Sequence, residues 1–351
     1  MKSVKDFDIA GKRVLIRCDF NVPLSEDGEV LDDFRIKKTI PTISYLLEQN
    51  AKIILMSHLG RPAQTQNPKL KTQSLTLKSI SKRLTELLGR EVKFLDDCLG
   101  ESVEKEITIM QSGEILLLEN LRFYKEEEEN NENFAKELAK LGDIYINDAF
   151  GASHRAHASI VGITKFLPAG AGLLLEKEVG FLSNLIESPQ KPLIAIIGGK
   201  KVEDKVKVIN RISAAADFVL ISGLIQKEIK EKNIQLKYPQ KIIGPVDEIG
   251  DGKDIGPETV DLFKEKIASA KTIFWSGPLG LIEEEEFSKG SEAIARAIIK
   301  SGASSVVGGG ETVEFVNRLG LGEKFSHLST GGGAMLEFLS GEKLPGLEVL
   351  K

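Results

Sequence analysis

Short apolar runs that end in an arginine or a histidine recur through the first half of this chain. The segments RVLIRCDFNVP, IILMSHLGRP, ILLLENLRF and DIYINDAFGASHRAH place Arg17, Asp19, Asn21, His58, Arg61, Arg122, His154, Arg155 and His157 at or just beyond strand-like stretches, and DDFRI adds Arg35. Strands are expected at Arg13–Cys18, Lys52–Ser57, Glu91–Phe94, Ile115–Leu118 and Ile144–Asn147, with helical stretches at Lys37–Gln49, Leu75–Leu88 and Asn131–Leu141 between them. Strands that alternate with amphipathic helices predict βαβ units and a parallel sheet. Ligands of such sheets bind beyond the carboxyl ends of the strands. Cations repeated at that position predict one shared pocket for a small, highly anionic molecule.

The 351 residues exceed what one hydrophobic core usually serves, so two domains are expected. A Pro/Gly break at Leu167–Gly172 is followed by one long helical pattern, Leu173–Glu187, which Ser188 and Pro189 end. The alternation then restarts, with strands expected at Leu193–Ile197, Phe218–Ile221, Ile242–Val246, Thr272–Trp275 and Ser305–Val307. The expected fold is α/β: two Rossmann-like, doubly wound parallel-sheet domains joined by an interdomain helix. The expected bounds are 1–172 for the first domain, 173–188 for the helix, 189–330 for the second domain, and 331–351 for a C-terminal segment that returns to the first.

A net charge of −5 argues against a general nucleic-acid binder, so the basic cluster is a local feature of an acidic chain. Two cysteines, Cys18 and Cys98, make no disulfide framework, and Cys18 reads as a small core residue. Without a long apolar stretch or a leader-like start, a soluble, cytoplasmic protein is expected; a monomer with small-molecule substrates and neither nucleic-acid nor membrane partners is expected as well. Lys125–Glu129, with four successive glutamates, reads as a solvated helix start. Arg17 reads as a structural ion-pair member, because strand alternation turns it away from the site face. His157 reads as a loop holder, Asn147 and Asp148 as turn residues, Lys200 as solvated, Trp275 as packing and His327 as a plain strand-end residue.

In the second half, glycine follows strand after strand: Gly198–Gly199 before Lys200, Lys201 and Lys205; Gly277–Pro278 before Glu283; Gly308–Gly310 before Glu311 and Thr312; and Gly331–Gly333. Glycine lets the backbone approach a phosphate closely, and the free N–H groups of a helix start favour anions. Repetition within one domain points to a nucleotide. The chain has no G-x-x-x-x-G-K-[ST] loop, no G-x-G-x-x-G opening the first domain, no H-E-x-x-H and no G-x-S-x-G. Those absences argue against a P-loop enzyme, a dinucleotide dehydrogenase, a zinc protease and an α/β-hydrolase.

From about Gly11 to the C-terminus, RCDFNVP, SHLGRP, LLLENLRF, NDAFGASHRAHAS, GGKKVEDK, SGPLG, GGGET and STGGGA resemble, in order, the motifs of phosphoglycerate kinases. The resemblance implies reversible phosphoryl transfer between 1,3-bisphosphoglycerate and ADP, giving 3-phosphoglycerate and ATP, with Mg2+ and two lobes that close about the connecting helix. It implies triose binding by Asp19, Phe20, Asn21, Arg35, His58, Leu59, Gly60, Arg61, Arg122 and Arg155. It places Lys201 on the moving phosphoryl with Arg35 opposite, and Gly332 and Gly333 as backbone donors beside it. Lys205 meets nucleotide phosphates, Glu283 the ribose, and Gly309, Gly310 and Thr312 complete the nucleotide site. Glu311 falls at the metal-linked position.

The second half departs from the family pattern. An extra lysine, Lys200, precedes Lys201. The glycine triplet after the next strand becomes Ser222-Gly223-Leu224, and Ser276 and Glu311 replace an asparagine and an aspartate. The stretch from Gln226 to Lys241 is shorter than usual. These changes fall on nucleotide recognition, and the alternative they leave open is a triose-binding relative with impaired or altered nucleotide use. Weak or altered nucleotide selectivity beside ordinary triose binding is the expected outcome. Calorimetric titration with ADP, GDP and 3-phosphoglycerate checks it, and an ADP affinity typical of the family removes it.

Overall fold

The computed structural model of the chain describes residues 1–62, 75–200 and 202–351. Residues 1–177 with 343–351 form one compact unit, and residues 178–342 form a second.

The first unit is built on a six-stranded parallel sheet in the order β3-β4-β2-β1-β5-β6. Its strands are β1 (Arg13–Arg17), β2 (Lys52–Met56), β3 (Val92–Phe94), β4 (Ile115–Leu117), β5 (Ile144–Asn147) and β6 (Ala169–Ala171). Both faces are buried, which is why the central strands read as unbroken apolar runs. Val14, Ile16, Ile53, Leu55, Ile115 and Leu117 pack on one face. Leu15, Ile54, Met56, Leu116 and Tyr145 pack on the other, following the period of two along each strand. Arg17 pairs in register with Met56 and with Asn147, so β1, β2 and β5 end level. Asp19, His58 and Asp148 follow those level ends.

Residues 343–351 pack within this unit. Gly346 N donates to Ser153 O at 2.9 Å, and Asn147 Nδ2 donates to Gly346 O at 3.4 Å. Gly346 lies so close to Ile160 and Ser153 that a Cβ there would sit 2.8–3.0 Å from their atoms.

The helix Leu173–Glu187 has the bounds its sequence pattern predicts. Asp148 does not fix its own turn; it caps this helix. Its Oδ1 accepts from Leu174 N at 3.0 Å and Leu175 N at 3.2 Å, which satisfies two of the helix's orphan donors. A Cβ on Gly172 would lie 2.1 Å from the same oxygen, so the approach needs glycine.

The second unit repeats the plan, with a parallel sheet in the order β14-β13-β12-β7-β8-β9. The strands are β7 (Leu193–Ile197), β8 (Phe218–Ile221), β9 (Ile242–Ile243), β12 (Thr272–Ser276), β13 (Ser304–Gly308) and β14 (His327–Leu328). Ser276 pairs with both Ile197 and Gly308, so three strands again end level, each next to a glycine turn. Trp275 is buried, as its packing role requires, and its Nε1 donates to Gly277 O at 2.9 Å.

Some expected bounds shift. β9 stops at Ile243 rather than reaching Val246, because Gly244 packs against the Gln226 amide and Pro245 has no N–H for the ladder. Beyond it, β10 (Glu248–Ile249) and β11 (Asp254–Ile255) form an antiparallel hairpin that the sequence pattern does not announce. The second helix starts at Lys78, later than Leu75, since Leu77 N is taken by Glu119 Oε1 at 2.9 Å.

Burial pushes Asp148 up to about 7, against the pull of the Thr42 hydroxyl and the Leu175 and Leu174 amides. The folded state thus holds this proton more tightly than the unfolded chain. The stabilisation is complete below the ordinary carboxylate range and is lost as pH rises to about 7. Asp148→Asn keeps an oxygen for both amides and carries no titrating proton. Urea unfolding of the variant and its parent is expected to show the balance moving toward the variant by about 1–4 kcal/mol between acidic and mildly alkaline pH.

Candidate active site

In the first unit the level strand ends bring the motif residues together. Asp19 is buried. Its Oδ2 lies 3.2 Å from Arg35 Nη1, and its Oδ1 accepts from Asn21 N at 3.3 Å. Arg35 Nη1 also donates to Asn21 O at 3.0 Å. Asn21 Oδ1 accepts from Gly60 N at 2.9 Å, and Phe20 N donates to Ser57 Oγ at 2.9 Å. These bonds tie the loop after β1 to the loop after β2.

Asn120 ties in the loop after β4. Its Oδ1 accepts from Leu59 N and from Arg122 N, both at 3.1 Å, and its Nδ2 donates to Leu59 O at 2.8 Å. Arg122 Nη1 donates to Gly60 O at 2.5 Å, and Arg122 Nε lies 3.1 Å from Glu128 Oε1. Arg155 Nε meets His154 Nε2 at 3.2 Å. Arg61 is exposed and acts electrostatically on Arg155.

The electrostatics show how closely these groups converge. Burial holds His58 well below the usual imidazole range, and Arg17, Arg122, Arg155 and Arg35 all add to the effect. Burial lowers Arg122 to about 10, with Arg155 as the next cause. Burial lowers Arg155 too, and Arg61 and Arg17 contribute. His157 falls to about 3, from burial first and then Arg17, Arg122 and Arg155. Each cation thus penalises the others. The cluster is a place where an anion is stabilised by several guanidinium groups at once.

Sequence reasoning missed the groups beneath the cluster. Glu127, read as solvated within its acidic run, is fully buried and accepts from Ser159 Oγ and Ser159 N. The short helix Lys125–Glu128 turns this one glutamate inward while Glu126 and Glu128 stay outside the core. Arg17 is buried in the ion-pair role expected of it, with Nη2 3.9 Å from Glu127 Oε1. Glu119 was also missed, although it stands inside the ENLRF motif. It accepts from Thr76 Oγ1, Leu77 N and Asn120 N at 2.6–2.9 Å.

In the second unit Gly198 and Gly277 approach each other closely. A Cβ on Gly277, whose φ is +87°, would lie 2.0 Å from Gly198 O. Thr312 Oγ1 is buried and accepts from Gly277 N at 2.8 Å, which ties the helix Gly310–Arg318 to that turn. Lys205 is buried and donates from Nζ to Gly198 O. Gly332 opens the helix Gly332–Ser340, and a Cβ there would lie 3.3 Å from Gly309 Cα, so two helix starts adjoin. Gly333 follows it and is exposed. Lys201, the expected transfer lysine, lies outside the described residues.

A cleft of about 150 Å³ is lined by Gly199, Lys200, Ser222, Leu224, Gly252, Lys253, Pro278–Leu281, Glu283 and Glu311. Among the described residues no group of three or more His, Cys, Asp or Glu side chains could hold a metal ion. A lone carboxylate at Glu311 nevertheless suits Mg2+, which keeps several waters and binds through one or two carboxylates plus substrate phosphates. His327 is not a plain strand-end residue. Its Nε2 meets the buried Glu178 at 2.7 Å, and Glu178 Oε1 also accepts from Thr330 N and Thr330 Oγ1, fixing the residue that precedes Gly331.

An arginine cluster for a small anion in one α/β unit, and adjoining glycine-opened helix starts beside an apolar cleft in another, define a phosphotransferase. The family model described as phosphoglycerate kinase matches residues 4–237 and 225–342. A protein from Dictyoglomus turgidum named phosphoglycerate kinase is 44% identical, with 99% of this chain and 98% of that protein covered. One from Borrelia turicatae with the same name is 43% identical, covering 100% and 99%. The crystal structure of phosphoglycerate kinase from Pyrococcus horikoshii superposes with a TM-score of 0.86 at 32% identity, covering 100% of this chain and 98% of that one.

The chain belongs to the phosphoglycerate kinase family. It is a phosphotransferase with a carboxyl acceptor, moving a phosphoryl group between 1,3-bisphosphoglycerate and ADP in glycolysis, with Mg2+ and ADP/ATP as co-substrate. The Dictyoglomus alignment spans 393 positions against 351 residues here, so that relative carries segments this chain lacks. The family match comes in two segments that overlap at 225–237, inside the stretch the sequence marks as short.

A crowd of cations in one cluster predicts that simple divalent anions stabilise the protein. Millimolar sulfate is expected to raise the melting temperature of the parent, and Arg155→Ala is expected to lose most of that gain. Equal gains in both would contradict convergence at this site. Differential scanning fluorimetry reads the result.

Proposed function

We propose that the first unit binds the phosphorylated acid and the second binds the magnesium nucleotide. Asp19, Phe20, Asn21, Arg35, His58, Leu59, Gly60, Arg61, Arg122 and Arg155 form the acceptor site. Lys201, Lys205, Glu283, Gly309, Gly310, Glu311 and Thr312 serve the nucleotide, with Arg35, Lys201, Gly332 and Gly333 about the moving phosphoryl. Residues 1–172 then act as the acceptor domain and 189–330 as the nucleotide domain. The protein works as a cytoplasmic monomer without nucleic-acid or membrane partners; among the described residues no helix is long and apolar enough to cross a membrane. One observation carries this reading: several arginines crowd a single imidazole, and only an anion relieves their mutual repulsion.

The chemistry asks little covalent help of the protein. The acceptor is a carboxylate, ionised at neutral pH, so no general base is needed, and the described motifs offer none. Phosphoryl transfer instead needs positioning and stabilisation of spread negative charge. Arg35 is aimed by Asp19 and by the Asn21 carbonyl, which fix its fork before ligand arrives. Lys205 holds its ammonium at the Gly198 turn, and Thr312 fixes Gly277 beside it, so the backbone donors of the second unit are ordered in advance. Glu311 would hold Mg2+ together with the nucleotide phosphates, and the ion would supply further neutralisation there.

Leu224 favours one modification of this reading. It lines the cleft and is 38% exposed, so it adds bulk where a base is expected to lie. A coupled assay over several nucleotides tests both points. Arg35→Ala is expected to lower kcat/KM for the triose by roughly 30- to 4,000-fold, equivalent to about 2–5 kcal/mol. Lys201→Ala is expected to abolish turnover while 3-phosphoglycerate still binds. Full activity in Arg35→Ala would overturn the acceptor assignment.

A further inference from the structure

Beneath the arginine cluster runs a chain of buried groups that the transfer chemistry does not use. Glu127 Oε1 accepts from Ser159 Oγ at 2.5 Å, and Glu127 Oε2 accepts from Ser159 N at 2.9 Å. Ser159 Oγ accepts from Arg17 Nε at 2.8 Å. Arg17 Nη1 donates to Cys18 O, and Arg17 Nη2 lies 3.1 Å from His58 Nδ1. Glu127, Ser159 and Arg17 are fully buried, and His58 is 3% exposed. Each nitrogen of Arg17 thus has a partner inside the protein, and the side chain is fully buried.

The direction of the last bond is fixed by chemistry. A guanidinium has donors and no acceptor. His58 Nδ1 must therefore accept, and an imidazole that accepts there carries its one hydrogen on Nε2. A second proton is opposed by the burial of the ring and by the four arginines around it. The nearest carboxylate oxygen, Asp19 Oδ1, stands 4.0 Å from Nδ1, beyond hydrogen-bond reach, and accepts from Asn21 N instead. Among the described residues nothing accepts from His58 Nε2.

We propose that Arg17 is a positioning residue: held by Glu127 through Ser159, it locks His58 as a neutral imidazole with its hydrogen on Nε2, which presents one donor of fixed direction to an oxygen of the anionic acceptor. This deepens the acceptor assignment above and rests on it. A neutral donor adds specificity without adding a further positive charge to a place already crowded with them. Glu127 is the far anchor of the device, because its carboxylate both accepts from Ser159 and offsets the charge of Arg17 in the interior. A buried arginine without that partner would be free to turn toward other acceptors.

Long-range nitrogen–proton correlation NMR on the ligand-free, full-length protein reads the tautomer directly. The chain has four histidines, so single substitutions assign their signals. His58 is expected to show the Nε2–H pattern at neutral pH. In Glu127→Gln the second tautomer is expected to appear, and KM for 3-phosphoglycerate to rise roughly 10-fold, with kcat and the nucleotide KM nearly unchanged. Ser159→Ala breaks the same relay at a smaller side chain and is expected to give the same split, should Glu127→Gln fold poorly. A His58 hydrogen on Nδ1, or a doubly protonated ring, overturns the proposal. Variants that only melt earlier, with tautomer and KM intact, also overturn it, since they make the relay merely structural. Calorimetry on the parent separates the two levels: no binding of 3-phosphoglycerate sinks the acceptor assignment, while the ligand-free tautomer stands on its own reading.

Discussion

Like charges do not gather inside a protein unless something holds them there. Arg17, Arg35, Arg61, Arg122 and Arg155 act on one another or on His58, and where they are buried the repulsion is stronger than it would be in water. Three carboxylates of the protein itself answer this in part. Glu127 sits below Arg17, Glu128 beside Arg122, and Asp19 beside Arg35. None of them fills the centre, so the cluster keeps a net demand for negative charge. On the acceptor assignment proposed above, a phosphorylated acid meets that demand.

The parallel sheet makes such a cluster affordable in chain length. When Arg17 is level with Met56 and Asn147, residues far apart in sequence leave the sheet at the same height. The second unit applies the same device to backbone groups. Ile197, Ser276 and Gly308 end level, and glycine at the next positions lets turns approach within distances no Cβ allows. Side-chain cations serve one unit and oriented N–H groups the other. The departures at Ser222, Leu224 and Glu311 all fall in the second unit, and they line one cleft together.

Much of this was legible in the sequence, for a physical reason. Strands buried on both faces must be apolar throughout, so β1, β2, β5 and β7 announce themselves. Leu173–Glu187 is bracketed by Pro/Gly and Ser-Pro signals, so its bounds were readable. The arginines were legible because they follow strands. What was not legible depends on tertiary contact. Nothing local separates Glu127 from its three acidic neighbours; only the place where Ser159 and Arg17 lie does so. Glu178 sits in a helix pattern, and its partners His327 and Thr330 come some 150 positions later. β9 read longer than it is because local propensity cannot see Gln226 covering Gly244.

The central claim is that the anionic acid enters among Arg35, Arg122 and Arg155 in the first unit. Histidine-resolved NMR during titration of the chain with 3-phosphoglycerate tests it most directly, because three of the four imidazoles stand in or against the cluster and His327 stands in the other unit. Saturating shifts at His58, His154 and His157, with His327 unmoved at low ligand, are the predicted result. Shifts confined to His327, or none at the other three as binding saturates, would contradict it.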